Sequence, residues 1–141
     1  MPIYSQHTEQ AEHNRALLYS LMQQNEHIKF SDWYVTIAFY AALHYFEAML
    51  FFVKPVITAG RAVEHSDALC GVYRVYSKHR ARDLAMRTFF QQIYASYSAL
   101  YRMSRTARYN CHRPGKHDWE RAETLLDSVK IACETLIRNK K

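Results

Sequence analysis

The segment Tyr101-Arg102-Met103-Ser104-Arg105-Thr106-Ala107-Arg108-Tyr109-Asn110-Cys111-His112 holds the side chains best suited to chemistry. At about 100° per residue, Tyr101, Arg105 and Arg108 fall on one helix face, within about 60° of one another. If the helix ends near Asn110, His112 sits on the following loop, within reach of that face. Arginine offers phosphate a planar fork of donors and can stabilise the extra charge of a pentacovalent transition state. A histidine with a pKa near about 6.5 can take or give a proton at neutral pH. Arginine plus histidine is therefore a coherent set for attacking a phosphodiester. RNA brings its own nucleophile, the 2′-hydroxyl, so no metal is required. On spacing alone the simpler reading is exposed arginines at a helix end and a loop histidine that touches nothing.

The charge around this segment is uneven. Residues 1–73 carry four Lys/Arg against seven Asp/Glu, and residues 117–141 carry five of each. Residues 74–116 carry ten basic side chains and one acid, Asp83, so this third alone outweighs the overall charge of +6. Eight of the ten are arginines, at 74, 80, 82, 87, 102, 105, 108 and 113, beside Lys78 and Lys116. Tyr76, Phe89, Phe90, Tyr94, Tyr97, Tyr101 and Tyr109 are interleaved with them. Cations alternating with stacking rings match a single-stranded nucleic-acid binder. An acidic protein partner, or a solvated basic face over a helical core, would look the same.

The elements that must position these residues are helices. The chain has 141 residues with only three Gly and three Pro, and 49% of its residues are hydrophobic. That excludes disorder and collagen, and argues against a turn-rich β-sandwich. Residues 8–25 suit a first helix and residues 32–53 a second, apolar on nearly every side and so central to a bundle. Pro55 and Gly60 end it. A third helix is expected over 64–77 and a fourth over 82–108. No Pro or Gly divides Val72 from Arg113, so one long rod is equally consistent. Trp119, Ala122, Leu126, Val129, Cys133 and Leu136 repeat every three or four residues and set a last helix over 118–139. The expectation is an all-α antiparallel bundle of four to five helices, one domain over residues 1–141.

Other signals are weaker. Residues 33–53 are long enough to span a bilayer, but Glu47 and His44 within them favour a buried bundle helix. The polar N-terminus shows no signal peptide, and three cysteines without a CxxC pair read as reduced thiols, so a cytoplasmic protein is expected. His44 reads as a core histidine, with Glu47 one turn on as its partner. Cys111, His112, His117 and Asp118 lack standard metal-ligand spacing, and His65 and His79 read as surface histidines. No metal or cofactor is expected.

Three stretches, taken in order, carry a family resemblance. They are Asp32-Trp33-Tyr34-Val35-Thr36-Ile37-Ala38-Phe39-Tyr40-Ala41-Ala42-Leu43-His44-Tyr45-Phe46-Glu47-Ala48, then His65-Ser66-Asp67, then Leu100-Tyr101 with Ser104-Arg105-Thr106-Ala107-Arg108-Tyr109. The chain thereby resembles the HEPN superfamily (higher eukaryotes and prokaryotes nucleotide-binding domains), over residues 30–135. The resemblance implies a helical bundle, usually a homodimer. In active members two Arg/His pairs face each other across the dimer cleft and cut RNA without metal. Their signature is an Arg, four to six residues, then a His. Arg105 and His112, with six between, match it as catalytic residues; Arg108 and His112, with three, do not. Tyr101, Arg102, Arg108, Tyr109 and Arg113 are the candidate RNA- or phosphate-binding residues. The family commonly places Asn, Asp or His after the Arg, where this chain has Thr106. Many relatives are inactive RNA-binding or toxin–antitoxin components, some paired with a minimal nucleotidyltransferase. The alternatives are therefore a non-catalytic module for RNA, a nucleotide or an acidic protein, and a structural domain assembled through its last helix.

Overall fold

A computed structural model describes residues 2–58, 61–111 and 113–141. Among them the chain is all-α apart from one short ladder. The helices are α1 (Tyr4–Gln23), α2 (Glu26–Lys29), α3 (Ser31–Val53), α4 (Ser66–Tyr73), α5 (Lys78–Phe89), α6 (Gln91–Tyr109) and α7 (Lys116–Lys140). Strands β1 (Val56–Thr58) and β2 (Arg61–Ala62) pair antiparallel between α3 and α4. Gly60 and His112 lie outside the described residues.

Helix α3 is the central member, as its apolar perimeter requires. It packs against α1, α6 and α7. Tyr34, Phe39, Phe46, Met49 and Leu50 are fully buried along it, and Ala38, Ala41 and Ala42 let neighbouring backbones approach. Helix α7 answers with Ala122, Leu126, Val129 and Cys133, the stripe its sequence marks. Helix α6 contributes Ile93, Tyr97, Leu100 and Ala107. By length and composition α3 could also cross a membrane, but two-thirds of its apolar window is buried inside the fold (67%), as in a core helix.

Local chemistry sets the helix ends. The Gln6 side chain accepts from the Ile3 N–H at 2.9 Å, and Asp118 accepts from the Gly115 N–H at 3.0 Å. Ser77 Oγ caps α5 by accepting from the Arg80 N–H at 3.3 Å. Lys54 closes α3 in the left-handed region (φ 50°), directly before Pro55, whose ring disfavours helical geometry in the residue it follows.

The expected single helix over 82–108 is corrected by the structure. Phe90 (φ −133°, ψ 52°) closes α5 and opens α6. Its carbonyl accepts from the Ile93 and Tyr94 N–H groups, at 2.9 and 3.2 Å. Its ring is buried, edge-on to Phe46 with centroids 5.9 Å apart. The break turns this aromatic inward where a straight helix would carry it around the axis. A rod from α4 into α5 is likewise excluded, because Arg74 ends α4 in the left-handed region (φ 53°). The first helix begins at Tyr4, four residues earlier than its apolar stripe suggests. The ladder was not expected; its strands are too short to show alternation.

Candidate nucleic-acid interface

The C-terminal half of α6 places Tyr101, Arg105, Arg108 and Tyr109 together. Arg105 Nη1 donates to the Tyr101 hydroxyl at 3.1 Å. Its guanidinium carbon lies 5.8 Å from the Tyr101 ring centroid and 5.4 Å from that of Tyr109. Arg108 lies 5.0 Å from the Tyr109 ring and 5.9 Å from Tyr40, and its Nη1 donates to the Tyr40 hydroxyl at 3.3 Å. These are cation–π distances. Tyr40 comes from α3 and is the member that spacing along α6 could not show.

Among the described residues no carboxylate pairs with Arg105 or Arg108. Arg15, Arg80, Arg82 and Arg87 all have acidic partners. The two α6 guanidiniums are thus held by tyrosines, and their charge is not neutralised. Arg105 and Tyr109 are exposed, whereas Arg108 is half-buried.

The other expected site residues stand outside this group. Arg102 lies at the edge of that face, about 60° from Arg105 around α6, and lines a cavity of about 250 Å³ with Thr106, Pro114 and Arg121. Arg113 Nη1 donates to the Lys29 carbonyl at 3.0 Å and straps the loop before α7 to the end of α2. The His112 assignment lies outside the described residues. Among those residues no group of three or more His, Cys, Asp or Glu could hold a metal.

Four histidine and arginine assignments need correction. Arg82 is buried (5% exposed) and does not belong to the basic face. Its Nε and Nη2 both lie 3.0 Å from Glu47 Oε1. Glu47 also accepts from the Ser66 hydroxyl and, at Oε2, from the Ser66 N–H at 3.2 Å. The partner of His44 is therefore not Glu47 but His7, with Nδ1 atoms 3.1 Å apart. His65 and His79 are half-buried and engaged. His65 Nδ1 accepts from the Ala68 N–H at 3.4 Å at the start of α4.

His79 was the residue least legible in the sequence. Its ring stacks on Tyr101, with centroids 4.9 Å apart and 27° between planes. It also meets the buried Phe39 ring at 5.8 Å. Phe39 touches Tyr40, Tyr97 and Tyr101 as well, so one core side chain braces the whole group. Burial lowers the His79 pKa below 6.5, with Arg82, Arg108 and Arg105 pushing the same way, so the ring is neutral at pH 7. No protein-family model, curated protein or solved structure matches this chain.

Proposed function

We propose that this is a HEPN-like, RNA-directed protein that holds the RNA backbone on the Tyr101–Arg105–Arg108–Tyr109 face. The observation that carries the reading is the pair of guanidiniums free of acidic partners among the described residues, framed by three tyrosine rings. Unneutralised arginines suit phosphate oxygens, and the rings offer stacking surfaces to unpaired bases. In its catalytic form the protein is a metal-independent endoribonuclease. Arg105 stabilises charge on the phosphorane, and His112 serves proton transfer across a homodimer cleft.

The second reading is a non-catalytic RNA-, nucleotide- or protein-binding module, such as a toxin–antitoxin component or a partner of a nucleotidyltransferase. It is favoured by Thr106, which lines the Arg102 cavity and stands after Arg105 where the HEPN family commonly has Asn, Asp or His.

Incubating single-stranded RNA with purified protein in EDTA tests both. Cleavage to 2′,3′-cyclic phosphate ends, lost in Arg105→Ala and in His112→Ala, is expected for the nuclease. RNA binding that Arg105→Ala weakens, without turnover in wild type, selects the module.

A further inference from the structure

His79 links the buried Glu47–Arg82 pair to the arginine face, and its neighbours fix its hydrogen-bonding sense. Arginine has donors and no acceptor. Arg82 Nη1 lies 3.5 Å from His79 Nδ1. Nδ1 must therefore be the acceptor, and the neutral ring carries its proton on Nε2. The hydrogen bond of His79 among the described residues is made at Nδ1, which leaves Nε2–H to a ligand. Stacking on Tyr101 and contact with Phe39 keep the ring from turning away.

We infer that His79 is a third phosphate-recognition residue of this face, its Nε2–H donating to a backbone phosphate oxygen of single-stranded RNA and its tautomer set by Arg82. This rests on the RNA-binding reading above. The ring borders Tyr101, whose hydroxyl Arg105 already engages, so one phosphodiester can meet a guanidinium and the imidazole together. The groups facing His79 are Arg82 from α5, Tyr101, Arg105 and Arg108 from α6, and Phe39 from α3. None is acidic. They disfavour the imidazolium, and the Arg82 donor occupies Nδ1, so the ring meets phosphate in its neutral form.

The test is fluorescence anisotropy with a short labelled single-stranded RNA. His79→Phe keeps a ring on Tyr101 and removes the donor, whereas His79→Gln returns an amide donor near the Nε2 position. The expected loss is about 10- to 100-fold for His79→Phe, with His79→Gln within about threefold of wild type. On wild type, long-range proton–nitrogen NMR should find the Nε2–H tautomer, with a resonance that moves when RNA is added. His79→Phe binding as tightly as wild type overturns the inference, as does a ring protonated on Nδ1. In either case the arginine face stands if the Arg105→Ala/Arg108→Ala double variant still loses RNA. No RNA binding by wild type, or wild-type binding by that double variant, overturns both. If His79→Phe does not fold, the response of the Nε2–H resonance decides: a signal unmoved by RNA overturns the inference.

Discussion

Arg82 meets Glu47 with Nε and Nη2 each 3.0 Å from Oε1, and both side chains are more than nine-tenths buried. The contact ties α5 to α3. Removing one partner leaves a buried charge uncompensated, at a cost of about 3–5 kcal/mol. Arg82→Met is expected to destabilise by that amount in urea unfolding. The double variant Glu47→Leu/Arg82→Met should recover a large part of the loss, because no charge is then stranded.

The His7–His44 pair makes stability depend on pH. Burial lowers both pKa values below 6.5, and His7 adds to the lowering at His44. Below about pH 6.5 the unfolded chain takes up protons that the folded one resists. Stability is full above that pH and is lost as pH falls toward the folded-state values. Calorimetric Tm should be flat from about pH 8 to 7 and fall by pH 5.5. The His7→Gln/His44→Gln variant should show a shallower fall.

The tyrosine-framed arginines of α6 and Arg102 should differ in RNA binding. Each phosphate contact to a single strand contributes about 0.7 to the slope of log affinity against log salt. Arg105→Ala/Arg108→Ala is expected to lower that slope by more than one. Arg102→Ala, altered in the α6–α7 cavity, should leave it nearly unchanged. Titrations at several salt concentrations read both.

Helix α7 is held to α3 by a narrow stripe. Leu126 is 3% exposed and Val129 is fully buried. Leu126→Ala should cost about 2–5 kcal/mol, because the site loses apolar contact and keeps a cavity. Ile131 is 61% exposed, and Ile131→Ala should change stability by less than about 0.5 kcal/mol. Denaturant midpoints separate the two.

The helices were legible because their apolar spacing is a local property. Trp119 through Leu136 marks α7 to within two residues at its start, and the all-round apolar pattern singles out α3 as central. The face shared by Tyr101, Arg105 and Arg108 follows from rotation per residue and is present as expected. What could not be read depends on pairing across elements. Arg82 sits in a basic run and looks like surface until Glu47, thirty-five positions earlier, is folded against it. His44 has Glu47 at helical spacing, yet that carboxylate is taken by Ser66 and Arg82. The break at Phe90 has no Pro or Gly to announce it; burial beside Phe46 decides it. His79 and Tyr40 join the arginine face through packing on Phe39, which no one-helix projection contains.

Helix α4 packs on α5, and α5 on α6, and the left-handed Arg74 turn and the Phe90 break bound α5. The Glu47–Ser66–Arg82 contacts tie this helix pair to α3. Leu69, Ala81, Ala85 and Met86 of the pair are fully buried in the common core, so the polar tie adds to an apolar one. Native-state hydrogen exchange should then show α5 amides opening at lower free energy than those of α3, more so in Arg82→Met. Arg105 and Arg108 belong to α6, and His79 to α5. The spacing of the imidazole from the guanidiniums is therefore set by how firmly α5 is seated on α3, through a carboxylate that touches none of the three.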